Sequence, residues 1–461
     1  MLASCTSAAS SPPARSPAAG IDGPALDAWV ERELAPHGPA LVAGIVVGDE
    51  LVWHRGVGAR DGKSGAPPDR TSVFRIGSIT KVLTATALMQ LRERGVLELD
   101  TPVATWIPEL ADRLSPPGHT PVTLRHLVTH TAGIPTGGDG SAPQHTNPTE
   151  AALLKALDVP LRFEPGTRNE YSNAGMALAG VVIARATKRS YREYMATEVL
   201  APLGMRPLWD RDEIPAAARV AGSSEGAIDP PTWVLGAFEP AGGLWASLDD
   251  MRGLARLVHG AADPVLSVVS RKLMFTDDPL PGHHGVAWIA TGDRVSHTGS
   301  TADYSATIVS SPDQKISVII LASGGAMDLT DCAAFAIARA VADGKPPKSC
   351  AVAAPKRFDH AAQAASFQRL IEFFTAPSEA TAKAAFAKPF LARVTLATVL
   401  EVAKQLTPQV GACTRYELPA KAPAGKGRVT LVCEKARVLL EYHLESAAPF
   451  RLDLLQVIGS E

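Results

Sequence analysis

The sequence predicts an α+β protein in two parts. The first is an antiparallel sheet flanked by helices, with a helical subdomain inserted, and the second is a small α+β unit. Three observations predict this. Strand-like runs lie near both ends of residues 23–343 and helical runs lie between them, so one sheet must be assembled from the two ends. Residues 344–356 carry Pro346, Pro347 and Pro355 and interrupt the pattern as a linker. Beyond them, from 357 to 461, helices come first and strands after. At 461 residues, with 46% hydrophobic and 20% charged side chains, the chain can bury more than one core.

The elements follow in order. Leu26, Trp29, Val30 and Leu34 recur at helical spacing within 24–35, giving an amphipathic first helix. Residues 41–47 and 50–56 read as a hairpin turned at Gly48-Asp49. Residues 72–89 read as a short strand, a tight turn at Gly77 and a buried helix opening at Ser78. A short helix follows over 123–133, ending at Gly133. His130 at its end reads as a histidine bonded near helix-end carbonyls, with a general base as the functional alternative. Strongly apolar helices over 174–186 and 191–200 come next, with Tyr171 and Asn173 on the loop before them; alone, Asn173 reads as a cap. A helix over 248–259 precedes strand signals at 285–290, 294–298, 304–310 and 315–322, and a helix over 331–342 closes the unit. In the tail, 358–374, 378–386 and 394–406 look helical, and 412–417, 428–434, 437–444 and 451–458 look like strands. That order is similar to cystatin-like or nuclear-transport-factor-like cones. Arg428, Lys435 and Arg437 there read as solvated strand faces.

The chemistry begins at Ser78. Ser78 and Lys81 are three residues apart, so on a helix they share a face. Beneath Val82, Leu83, Ala85 and Leu88 an ammonium is costly to desolvate, so burial drives Lys81 toward the neutral amine. A neutral amine can take the serine's proton and make it a nucleophile. The S-x-x-K spacing alone is weak, with about one chance match expected in a chain of this length.

Two further motifs follow in a definite order: Tyr171-Ser172-Asn173, then His297-Thr298-Gly299 at a strand end. With the phrases Leu127 to Gly133 and Gly242-Gly243-Leu244, the set resembles the active-site-serine penicillin-recognising family, in its class C β-lactamase-like branch. The resemblance covers 24–343 and implies a β-lactamase-like fold. It further implies that Ser78 forms an acyl-enzyme and that Lys81 and Tyr171 relay its proton. Asn173 would bind the substrate amide, with His297, Thr298 and Gly299 lining the strand edge. The backbone N–H groups of Ser78 and Ser300 would form the oxyanion hole. The implied substrate is a small molecule or peptide, namely an ester, an amide or a D-amino-acid peptide, with no cofactor. A β-lactamase is one alternative, and a penicillin-binding receptor that acylates without turnover is another.

The chain departs from the β-lactamase pattern at 297, where lysine is usual and His297 stands. Histidine is mostly neutral at pH 7, so it suits a β-lactam carboxylate less well than a fixed cation does. Glu170, beside Tyr171, should point elsewhere and is no general base. The histidines are scattered, with His283-His284 a pair in a turn, and no metal spacing is visible.

A net charge of −2 gives no electrostatic case for nucleic acid. Leu2-Ala3-Ser4-Cys5 resembles a lipobox, with lipidation at Cys5, although no basic or apolar signal region precedes it. Residues 1–22 would then be a lipobox-like tail and tether, and the lipid the chain's link to a membrane. The remaining cysteines fall into two local pairs, Cys332–Cys350 and Cys413–Cys433. They suggest disulfides and export to the periplasm, with buried free thiols as the alternative.

Overall fold

The computed structural model describes residues 22–37, 40–61, 66–138, 146–221, 234–261, 265–282, 284–301, 304–323, 327–350, 360–417, 426–444 and 452–460. Cys5 and His283 lie outside them. The chain divides into two compact units, Met1–Val352 and Ala353–Glu461, and the division falls within 344–356.

The first unit contains β1 (Ala40–Val47), β2 (Glu50–Gly58), the short β3 (Phe74–Arg75) and β4 (Trp245–Ala246), β5 (Ile289–Thr291), β6 (Arg294–Ser300), β7 (Tyr304–Ser311) and β8 (Ile316–Ser323). Six of these form one antiparallel sheet in the order β2-β1-β8-β7-β6-β5, while β3 pairs with β4. The expected closure of the sheet from both ends is the β1–β8 pairing, from Ala40 opposite Ser323 to Val47 opposite Ile316. Helices from the middle of the unit cover one face, and helices from its two ends cover the other. They include α1 (Gly23–Glu33), α2 (Thr80–Glu93), α3 (Leu124–Val128), α4 (Asn173–Thr187), α5 (Leu248–His259) and α6 (Met327–Asp343). Asp22 starts α1 by accepting from the Ala25 N–H at 3.1 Å.

Side chains of β1 alternate between two cores. Ala40, Val42 and Val46 join α2, α4 and α5, whereas Leu41, Ala43 and Ile45 join Leu26, Trp29 and Val30 of α1 and Leu329, Ala333 and Ile337 of α6. With both faces covered, the strand reads as a continuous apolar run. Cys332 on α6 is joined to Cys350, which is buried in the same core.

Three boundaries differ from the sequence reading. The helix at 123 stops at Val128, because His130 takes a left-handed φ of 58°. The strand read over 285–290 begins only at Ile289; Ala287 has a φ of 63°, and Gly285 N–H bonds Trp288 O at 2.8 Å, turning the chain so that Trp288 enters the core. The helix read over 394–406 is α10 (Leu396–Val410), and a short helix not read in the sequence, α9 (Lys388–Arg393), precedes it, the two separated where Val394 is extended.

These belong to the second unit, which also has α7 (His360–Thr375) and α8 (Glu379–Ala385). Its sheet is antiparallel, ordered β12-β11-β10-β9, from β9 (Cys413–Glu417), β10 (Lys426–Cys433), β11 (Arg437–Leu444) and β12 (Leu452–Ser460). Phe367, Leu370, Phe373 and Phe386 pack with Val429, Leu431 and Leu440. The Cys413–Cys433 disulfide ties β9 to β10. Lys435 and Arg437 are exposed.

Candidate active site

The site is organised by one turn. Gly77 sits at φ +50°, and a Cβ there would also lie 3.0 Å from Ser300 N. A Cβ on Gly299 would be 1.9 Å from Ile76 O and 3.0 Å from Ser78 N. Two glycines thus let the end of β6 lie flush against the turn that carries Ser78. Residues 77–79 form a 3₁₀ turn and α2 proper begins at Thr80, so Ser78 precedes the α-helix it was expected to open. Thr80 Oγ1 donates to Gly77 O at 2.7 Å and accepts from Leu244 N–H at 3.2 Å. Ile76 N–H bonds Leu244 O at 3.0 Å. These bonds draw the Gly242-Gly243-Leu244 segment alongside the turn.

Three expected residues meet at one atom. Tyr171 Oη donates to Ser78 Oγ at 2.6 Å, and Lys81 Nζ lies 3.0 Å from the same oxygen. Lys81 is fully buried, with its Nζ 2.5 Å from Ala241 O and 4.8 Å from the Tyr171 ring centre. Burial lowers its pKa well below the usual lysine range. A neutral amine can donate to Ala241 O and still offer its lone pair to the Ser78 hydroxyl. Tyr171 keeps 42% of its surface open, yet its hydroxyl is packed into the site, and burial pushes its pKa up to about 12 against the pull of the Ser78 hydrogen bond. The phenol therefore rests protonated and donating, which gives the chain of hydrogen bonds a direction from Tyr171 through Ser78 to Lys81.

On the facing strand, Thr298, Gly299 and Ser300 pair with Thr307, Ala306 and Ser305. His297 is 6% exposed and its Nδ1 lies 2.7 Å from Thr298 O. Burial, with Lys81 adding to it, lowers its pKa to about 3. Its imidazole is neutral at pH 7, Nδ1–H donates to the carbonyl, and Nε2 is left as an acceptor. Asn173 opens α4, but the cap is Ser172, whose Oγ accepts from Gly175 N–H at 3.0 Å. The Asn173 N–H instead bonds Thr136 Oγ1 at 3.0 Å.

Other groups in the site were not read as site residues. Ala241 contributes a backbone carbonyl, which leaves no side-chain signal beyond the glycines after it. His130, read as a helix-end histidine, packs its ring 4.5 Å from that of Tyr171, and His284 meets His130 edge-on at 5.7 Å. The backbone at 130 is left-handed, and its ring brings together Tyr171 and His284, which are far from it in sequence. Among the described residues no cluster has the make-up of a metal site. Glu170 pairs with Arg162, away from Ser78.

The chain is 34% identical over 206 residues to Esterase EstB of Burkholderia gladioli, a match spanning 42% of this chain and 51% of the esterase. The chain thus spans about half the length of that relative. Among solved structures, an octameric penicillin-binding protein homologue from Pyrococcus abyssi shares the fold over 93% of this chain and 92% of its own, with a TM-score of 0.61 at 23% identity. A D-stereospecific amidohydrolase from Streptomyces sp. matches 68% of this chain and 99% of its own, with a TM-score of 0.55 at 22% identity. The Beta-lactamase family model matches residues 26–342, and the chain belongs to that family.

Proposed function

We propose that the chain is a serine hydrolase that works through an acyl-enzyme at Ser78 on a neutral ester, an amide or a D-amino-acid peptide. The observation that supports this best is the placement of Ser78 Oγ between Lys81 Nζ and Tyr171 Oη. Ser78 Oγ attacks the acyl carbon as its proton moves to the Lys81 lone pair. The bond to the leaving group breaks as the Tyr171 hydroxyl protonates it, and Lys81 passes its proton to the resulting phenolate, which restores the neutral amine and the protonated phenol. Water then attacks the acyl carbon, giving a proton to the Lys81–Tyr171 pair, and Ser78 leaves as the pair returns that proton to Oγ. The Ser78 and Ser300 N–H groups, on backbones that the two glycines hold in contact, bind the oxyanion. Asn173 holds the substrate amide from the start of α4.

The neutral His297 offers no fixed cation to a β-lactam carboxylate where a lysine is usual, which favours an uncharged ester or amide most directly, with the D-amino-acid peptide kept as a substrate by the resemblance. The esterase relative and the amidohydrolase neighbour are in keeping with that preference. The two disulfides suit an oxidising compartment, and we read the chain as an exported, Cys5-anchored lipoprotein. Its second unit would be a cystatin-like or nuclear-transport-factor-like domain.

The test is turnover of a chromogenic short-chain ester, a D-alanyl-D-alanine peptide and a chromogenic cephalosporin side by side. Turnover of the ester or the peptide, abolished in Ser78→Ala, is the expected result. Rapid turnover of the cephalosporin alone would reverse the assignment.

A further inference from the structure

His130 encloses Tyr171 from three sides. Its carbonyl accepts the N–H of Glu170 at 2.8 Å, just before the tyrosine. Its Nδ1 accepts the N–H of Ser172 at 3.3 Å, just after it. Its ring lies 4.5 Å from the phenol ring between them. The contact is extended by backbone pairing, with Gly166 N–H on Thr131 O at 2.9 Å and Arg162 N–H on Gly133 O at 2.8 Å. Asn169 Nδ2 bonds Thr129 O at 2.8 Å, so the strip that leads into Tyr171 is laid along residues 129–133.

This arrangement explains an otherwise costly conformation. A non-glycine residue at φ 58° is uncommon, with histidine among the types that tolerate it, and glycine would fill the position with least strain. Histidine stands there nonetheless, buried to 3% exposure, with its side chain aimed at the site. We propose that His130 is the positioning residue of Tyr171, fixing the phenol hydroxyl on Ser78 by bonding the peptide on either side and stacking on the ring. Because Nδ1 accepts from Ser172, the proton of the neutral imidazole is on Nε2. Protonation at Nδ1 would break the clamp. The titratable groups facing His130 are Lys81 on α2, Tyr171 before α4, His284 before β5 and His297 on β6. Burial, first of all, disfavours the charged form, and any protonation of Lys81, His284 or His297 would add to it.

The inference rests on the hydrolase reading, and the experiment separates the two. His130→Gly relieves the backbone and removes the ring, whereas His130→Asn tolerates the left-handed backbone and keeps an acceptor for Ser172 N–H. With a short-chain ester, His130→Gly should lower kcat by about 10- to 100-fold with KM nearly unchanged. His130→Asn should recover a clear part of that loss. In a Tyr171→Phe background His130→Gly should cost little more, since its effect passes through the phenol. A fully active His130→Gly, or losses that multiply in the double variant, would overturn the proposal. In 3-fluorotyrosine-labelled protein the Tyr171 ¹⁹F line, assigned by its loss in Tyr171→Phe, should shift and broaden in His130→Gly and stay near its native position in His130→Asn. An unmoved line overturns the clamp even if the wild-type protein turns over no substrate, an outcome that would by itself sink only the hydrolase reading.

Discussion

Lys81 Nζ stands 3.0 Å from Ser78 Oγ, and its other hydrogen-bond partner is the neutral carbonyl of Ala241. Among the described residues no carboxylate pairs with it, and burial lowers its pKa. On the proposed mechanism the active form is the free amine, so ester hydrolysis should rise with pH. Its apparent pKa should fall well below the ordinary lysine value of about 10.4. Lys81→Arg keeps the charge and cannot shed it, and kcat should drop by about 10²- to 10⁴-fold. The pH–rate profile of both proteins checks this.

Tyr171 carries the complementary prediction. Its pKa is pushed up to about 12, so the phenol keeps its proton through the alkaline range. Activity should show no fall between pH 8 and 10 from its ionisation. Tyr171→Phe should slow acylation by a poor leaving group more than by an activated phenyl ester, because only the former needs the proton.

The contact between β6 and the turn is intolerant of any side chain. Gly299→Ala would drive a Cβ into Ile76 O and force the strand off Ser78 N. Destabilisation of about 1–3 kcal/mol is expected, with loss of most acylation as the two facing N–H groups separate. Thermal melts and burst kinetics report the two effects separately.

Acid should destabilise the fold through its buried neutral histidines. His297 has a folded pKa of about 3, below the unfolded value of about 6.5. Between these values the unfolded chain binds the extra proton. Stability is therefore full above pH 6.5 and is lost as pH falls toward 3. His130 acts in the same direction. His297→Asn, which can still donate to Thr298 O, should flatten the dependence of Tm on pH across this window.

The Cys332–Cys350 disulfide closes a loop of sequence separation 18 against a buried core. Its removal should cost about 3 kcal/mol on the chain-entropy account. Urea unfolding of Cys332→Ala/Cys350→Ala beside the native protein measures it.

Most of the fold was legible because burial leaves a pattern. Leu26, Trp29 and Val30 marked α1, and the apolar runs at 41–47 and 315–322 marked the two strands that pair across the whole unit. The meeting of Ser78, Lys81 and Tyr171 was legible because the nucleophile, base and acid proposed here are side chains of particular types in short motifs. What escaped depended on backbone conformation. The left-handed φ at His130 ended a helix early and swung the imidazole onto Tyr171, and no local pattern announces a positive φ at histidine. The Ala241 carbonyl has no signature of its own. Ser172, more than Asn173, took the cap, since a serine one position earlier satisfies Gly175 N–H equally well.

The central claim, that a neutral Lys81 activates Ser78, is tested most directly by the rate at which a fluorophosphonate probe labels the protein as a function of pH, with the adduct located by peptide mass. One adduct is expected, on Ser78, with a rate that rises through an apparent pKa well below that of free lysine and collapses in Lys81→Met. An adduct on another residue, or a Lys81→Met protein labelled as fast as the native one, would contradict it.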